Sequence, residues 1–295
     1  MLRFVLREAG RLALGLLGAV LLASAIAALA MPGAGGGTVA FLIAWGKTLN
    51  AFLHLDFGAS AMTGVSALDE FAAHMPLTLG LVAEGFVVAL AVGIPVGFLF
   101  SNGPARSAAS PVVQVVSAAP IFVAGLALAF IAVNGLGWPV PVNGMKSGLK
   151  LIPANAAEFH AVLLPVLTIG LAGAAATQLA LRRAAALAAD APYRVQMRRM
   201  GLSAWEIERA YAAPQAFAGL LGNLGEVMAA LLSAAAVAEW VFNFAGAADL
   251  FVRSVALRDW AVVAPVILTF AALTMMASFI GRIAARALNG AGAYA

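Results

Sequence analysis

RVQMRRMGLSAWEIERAYAAP, residues 194–214, is a polar, arginine-rich stretch between two long apolar runs. The chain as a whole is 63% hydrophobic and only 10% charged, whereas about a quarter of a soluble domain's residues are charged. Its apolar runs reach about 20 residues, the length that crosses the hydrocarbon core as a helix. Lipid offers no hydrogen-bond partners, so a spanning segment must be a helix or part of a closed barrel. These runs are continuously apolar rather than alternating, which selects helices. An all-α polytopic membrane protein is expected, with residues 194–214 outside the bilayer.

Six spans are expected: Phe4–Ala30, Pro76–Phe100, Pro111–Val133, His160–Leu181, Pro214–Phe242 and Trp260–Ala285. Arg3, Arg7 and Arg11 ahead of an apolar run ending Ala28-Leu29-Ala30 look like a secretory signal. The unbroken run from Leu12 to Ala30 exceeds a usual signal core, so a retained first helix is expected. With both termini inside, twelve arginines (3, 7, 11, 106, 182, 183, 194, 198, 199, 209, 282 and 286) face the cytoplasm. Lys47, Lys146, Lys150, Arg253 and Arg258 face outward. Excess positive charge stays inside, which favours cytoplasmic N- and C-termini. The net charge of +4 therefore reports topology and not nucleic acid, and the lipid bilayer is the expected surrounding. The absence of cysteine excludes disulfides and thiolate metal sites.

The outer connection Met31–Met75 opens on a Gly-rich stretch, 32–37, and then carries an apolar segment, Val39–Leu55. Gly46, Lys47 and Asn50 interrupt that segment, so an interfacial helix on the outer face is expected. Asn134–Phe159 is rich in Gly and Pro and reads as loop.

Ahead of the polar stretch, Pro192 should bend or end the Ala-rich extension of the fourth span, and Gly201 should break the next helical stretch. Ser203 with Glu206 three residues later is a capping box. It predicts a short helix over Ala204–Ala212, with Pro214 starting the fifth span. A charged loop solvated at the membrane face is the plainer reading. Gly, cap and Pro at these offsets favour a docking helix lying across the cytoplasmic surface.

The region resembles the cytoplasmic signature of ATP-binding-cassette importer permeases, in which a Pro follows a Gly by thirteen residues, as Pro214 follows Gly201. Val195, Gln196 and Met197 stand where that signature has Glu-Ala-Ala, and Ala213 replaces the Leu before the Pro. The wider chain is similar to the oligopeptide, dipeptide and nickel permease group. Met1-Leu2-Arg3-Phe4 resembles its opening and Pro32-Gly33 its outer Pro-Gly-Asp-Pro, with Ala34 for Asp. Leu55-Asp56-Phe57-Gly58 with Ser60, Pro76-Leu77-Thr78-Leu79 and Gly93-Ile94-Pro95-Val96-Gly97 follow in the group's order. So do Tyr193, Arg198 and Gly201-Leu202-Ser203, then Glu239-Trp240-Val241-Phe242 with Gly246, and Arg258-Asp259-Trp260.

The resemblance implies a type I importer permease fold. Residues 1–30 would form the first transmembrane helix, 31–75 a periplasmic segment and 76–290 the permease core, with a coupling helix at 201–213. It implies an inner-membrane location, a second permease subunit of different sequence, two ATPase subunits and a periplasmic solute-binding protein. The solute would be small and peptide-like. ATPase coupling falls to Arg198, Arg199, Gly201, Leu202, Ser203, Trp205, Glu206 and Pro214. No Gly-x4-Gly-Lys-Ser/Thr occurs, so the chain is expected to be no enzyme and to hold no cofactor, with ATP and Mg in the partner subunits.

Glu84 and Glu226 fall near the middle of expected spans, where an acid costs roughly 2.5–3.5 kcal/mol on insertion scales. Either they line a cavity favouring cationic or amine-bearing solutes, with Asn223 one turn before Glu226, or they pair with a neighbouring helix or lie at the subunit interface. Glu239, near the outer end of the fifth span, belongs to an outer gate or binding-protein contact, or to a solvated helix end. His54, His74 and His160 lack metal-ligand spacing. The small residues at Ala172–Ala176 suit close helix packing. A membrane-embedded enzyme finds no catalytic constellation at a common depth. An ion-gradient-driven secondary transporter is the alternative, although no inverted repeat is visible.

Overall fold

The computed structural model describes residues 1–29, 37–99, 121–137, 156–189 and 193–291, and almost all of them are helical. The expected Gly-rich opening of the outer connection, Pro192, Pro111 and most of the Asn134–Phe159 loop lie outside the described residues. Among the described residues, eleven α-helices follow in order: α1 Leu2–Leu29, α2 Thr38–Leu53, α3 Ala67–Leu99, α4 Ile121–Leu136, α5 Ala156–Ala189, α6 Tyr193–Arg199, α7 Ala204–Ile207, α8 Ala213–Gly222, α9 Leu224–Val241, α10 Ala247–Ala256 and α11 Trp260–Ala291. A π-helical turn, Glu208–Ala212, joins α7 to α8.

Among the described residues, five helices are long and apolar enough to cross a membrane: α1, α3, α5, α9 and α11. The described part of the third expected span is α4, with 16 residues. α5 overruns both limits of its expected span, and α11 continues six residues past Ala285. α3 begins nine residues before Pro76 and carries both Pro76 and Pro95 inside it.

The core is the parallel pair α3–α5, onto which α9 and α8 pack. Close approach between α3 and α5 depends on glycine. A Cβ on Gly93 would stand 2.6 Å from Thr177 Cβ and 2.8 Å from the Ala174 carbonyl oxygen. Gly85 and Gly97 repeat this against Ile169 and Leu181, at the same helical face. Small residues supply helix association where lipid gives no hydrophobic drive. The Gly-Ile-Pro-Val-Gly segment thus has a packing role.

α1 lies outside this core and reaches it through α11. A second apolar cluster, Ala23, Phe52 and Ala264 with Phe57 and Leu268, holds α1, α2 and α11 together. Trp45 of α2 donates from Nε1 to Ser24 Oγ at 3.0 Å. The apolar segment of the outer connection is therefore a helix docked on α1, with Val39, Leu42 and Ile43 exposed.

The expected fifth span, Pro214–Phe242, is corrected to two helices. The chain breaks at Asn223, whose φ of −107° and ψ of 15° leave the helical region. Asn223 Nδ2 donates to the Gly219 carbonyl at 2.8 Å, closing the end of α8. An Asn side chain competes with the backbone for such bonds, and Gly222 beside it weakens the helix further.

Candidate functional site

The polar stretch folds as a hairpin of α6 against α7 and the π turn. Its corner is a Schellman motif. Gly201 has φ +88°, a left-handed conformation that side chains disfavour. Gly201 N–H donates to the Arg198 carbonyl at 3.0 Å, and Leu202 N–H to the Met197 carbonyl at 3.1 Å, the pairing that satisfies a helix C-terminus. Two residues on, Ser203 caps α7. Its Oγ accepts from Glu206 N–H at 3.2 Å, while Glu206 Oε2 accepts from Ser203 N–H at 2.8 Å and Ser203 Oγ at 2.7 Å. These bonds hold the Glu206 carboxyl below its ordinary pKa, so it is ionised at neutral pH.

Three contacts that the sequence did not single out clamp the hairpin shut. Arg194 Nη2 lies 3.0 Å from Glu208 Oε2, with both side chains mostly buried. Tyr193 and Tyr211 rings sit 6.4 Å apart, and Tyr193 OH donates to Gln215 Oε1 at 3.3 Å. Burial raises the Tyr193 pKa, more than Arg194 lowers it. Ile207 is 1% exposed and anchors α7 to the body. The alternation of Tyr, Arg and Glu across the expected turn was the available signal.

The chain runs from α7 through the π turn into α8 without leaving helical geometry, with Pro214 at the start of α8. Pro214 has no N–H and its ring would strike the carbonyl four residues back. The widened turn accommodates this: Ala213 N–H reaches the Glu208 carbonyl, five residues back. Displacement of α7 is therefore passed to α8 through continuous helix.

What the hairpin leaves uncovered is a mixed apolar and cationic face. Trp205 and Met200 are each 69% exposed and Val195 56%. Arg198, Arg199 and Glu206 are exposed, and Leu202 is half-buried. An exposed Trp amid arginines has the composition of an interface hot spot.

The other candidate residues disperse. Glu226, expected mid-span, sits instead in the first turn of α9, because the break at Asn223 restarts the helix there. Its carboxylate is 60% exposed and lies 3.4 Å from Arg183 Nη1, so it is paired with a neighbouring helix. Asn223 is occupied in holding the break. Glu84 is on α3 at mid-helix, partly buried, and its Oε1 is enclosed without a hydrogen-bond partner among the described residues.

Glu239 is fully buried, which corrects the expected solvated helix end. Its Oε1 accepts from Thr78 Oγ1 at 2.6 Å and its Oε2 from Asp249 N–H at 2.8 Å. Thr78 Oγ1 in turn accepts from Ala247 N–H at 2.8 Å. The pair satisfies the first amides of α10, as buried polar groups require. A Cβ on Gly246 would meet the Glu239 carboxylate at 2.3 Å, so the Glu and the Gly seven residues on form one unit. Past the other end of α10, Ser60 Oγ donates to Asp259 Oδ2 at 2.6 Å and accepts from Met62 and Thr63 N–H at 3.2 Å each. Motifs far apart in sequence are thus partners on one side of the molecule. His54 and His74 bond to backbone carbonyls of their own helices, and among the described residues no group of acids and histidines could hold a metal.

The family model for binding-protein-dependent transport system inner membrane components matches residues 89–290. The chain is 26% identical over 264 residues to the peptide transport system permease protein SapB of Salmonella typhimurium, covering 81% of this chain and 82% of that protein. It is 24% identical over 263 residues to the putrescine export system permease protein SapB of Escherichia coli K12, with the same coverage. With the glutathione transport system permease protein GsiC of Escherichia coli K12, identity is 27% over 238 residues, covering 79% and 74% of the two chains.

Proposed function

The chain belongs to the family of binding-protein-dependent transport system inner membrane components, and on that premise we propose that it couples solute movement to ATPase subunits through the Tyr193–Ala212 hairpin. It is a multi-pass permease of the inner membrane. The observation that carries the coupling role is the exposed Trp205 face, set between a Schellman corner at Gly201 and an unbroken helical passage into α8.

Trp205, with Leu202, Arg198 and Arg199, enters a groove on an ATPase subunit. Ser203 and Glu206 keep α7 wound, and Gly201 sets the corner angle. ATP and Mg bind in the ATPase pair, and hydrolysis takes place there. Closure of that pair draws α7 and the companion helix of a second permease subunit together. Motion passes through Pro214 and α8 into the core and opens the pathway to a periplasmic binding protein. Both chain termini face the cytoplasm, in agreement with the arginine distribution.

The solute is a small peptide-like or amine-bearing molecule, in agreement with the peptide, putrescine and glutathione named for the relatives. Glu84 is the candidate pathway acid, since its enclosed oxygen has no partner within the described residues.

Purification of the tagged chain from native membranes tests the reading. Two ATPase subunits and a second permease chain should co-purify. Deleting Gly201–Ala212 should leave the chain inserted while removing the ATPases and solute uptake. Retained ATPases after that deletion would refute the docking role.

A further inference from the structure

α1 and α11 pack antiparallel in constant register. The Arg286 guanidinium carbon stands 6.0 Å from the Phe4 ring centre. Arg282 Nε donates to Glu8 Oε2. A Cβ on Gly15 would stand 3.0 Å from Met275 Sδ. The paired residue numbers sum to 290 in all three contacts, so equal steps along the two helices stay level.

That register gathers charge. Arg3, Arg7 and Arg11 recur every fourth residue on α1, as do Arg282 and Arg286 on α11. The five fall within a band about eight residues deep, roughly 12 Å at the rise of a helix. Just beyond it, Leu12–Leu29 is uninterrupted by charge and spans about 27 Å, close to the hydrocarbon thickness of about 30 Å. The band therefore lies at headgroup level.

Glu8 is the one carboxylate in the band. It is 1% exposed, and its two oxygens are taken by Arg11 and Arg282. It fixes those two guanidinium groups and neutralises nothing further out. Arg3, Arg7 and Arg286 are exposed and have no carboxylate partner among the described residues. Leu6, Leu14 and Ile280 on the same two helices present exposed apolar surface.

We infer that the level ends of α1 and α11 form a binding site for the headgroup phosphate of an anionic phospholipid, with Arg3, Arg7 and Arg286 as its contacts. A guanidinium fork matches phosphate geometry, and basic pockets between membrane helices suit such headgroups. The apolar flank favours a lipid over free phosphate, because acyl chains cover the leucines while the arginines hold the phosphate. The Glu8 bridge between α1 and α11 is the scaffold, since it sets the spacing of the two cationic rows.

Native mass spectrometry of the purified transporter complex, titrated with phosphatidylglycerol or phosphatidylcholine, tests this. The wild-type complex should retain phosphatidylglycerol in preference, and millimolar inorganic phosphate should not displace it. Each arginine contributes about fivefold at a membrane surface, so replacing Arg3, Arg7 and Arg286 together by Gln should weaken phosphatidylglycerol binding about a hundredfold. The same three positions as Lys should stay within several-fold of wild type. If the triple Gln complex fails to assemble, Arg7→Gln alone should show about a fivefold loss. Equal retention of the two lipids, displacement by inorganic phosphate, or wild-type affinity in the Gln variants would overturn the inference.

Discussion

Replacing Thr78 by Val tests the buried junction beneath α10 with little change of shape. Thr78 Oγ1 donates to Glu239 Oε1 at 2.6 Å and accepts from Ala247 N–H at 2.8 Å. Val removes both bonds. A hydrogen bond to a charged group is worth about 1.5–3 kcal/mol, and an orphaned buried donor costs about 1–3 kcal/mol. The two losses share one site and overlap, so about 3–4 kcal/mol is expected. At about 2–4 °C per kcal/mol for a chain of this size, the apparent melting temperature of the detergent-purified complex should fall by about 10 °C. Thr78→Ser keeps the hydroxyl and should stay within about 3 °C of wild type. The assay is thermal unfolding at one heating rate, read by loss of monodispersity. Val and Ser variants melting within 2–3 °C of each other would refute the network, whatever their common shift from wild type.

Four further outcomes follow from the same geometry. Gly93→Leu should abolish assembly of the folded chain, read as loss of the monodisperse peak, because even a Cβ there stands 2.6 Å from Thr177 and overpacking costs about 1–3 kcal/mol or more. Gly201→Val should uncouple uptake from ATP hydrolysis while Gly201→Asn largely preserves it, since φ +88° excludes a β-branched residue and Asn tolerates the left-handed region; uptake and ATPase rates in proteoliposomes separate the two. Glu84→Gln should lower uptake of amine-bearing solutes relative to neutral ones. Glu226→Gln should change neither, because an exposed pair such as Glu226–Arg183 contributes about 0–1 kcal/mol.

The features legible in the sequence were the local ones. Ser203 and Glu206 are three residues apart, and their capping box forms as read. Gly201 takes the left-handed conformation that its place after α6 required. Continuous apolar runs marked the membrane helices because lipid leaves the backbone no other choice. The break at Asn223 was harder to see, since Gly-Asn in an apolar run is a weak signal, and missing it put Glu226 in the middle of a span. The partners of Glu239 and Asp259 were not legible at all. Thr78 lies 161 residues from Glu239, and Ser60 lies 199 from Asp259. Each residue stood within a motif resembling those of the family, yet nothing in one sequence says that two motifs touch. The α1–α11 register is likewise a tertiary fact, made visible only when Glu8 and Arg282 meet.

Coupling is tested most directly at Trp205. The chain contains no cysteine, so Trp205→Cys supplies a single thiol without further engineering. Cross-linking from that thiol in native membranes should capture an ATPase subunit, with a yield that changes when ATP is trapped in the ATPase pair. Labelling of the same thiol by a membrane-impermeant maleimide from the periplasmic side, with no ATPase captured, would contradict the docking role.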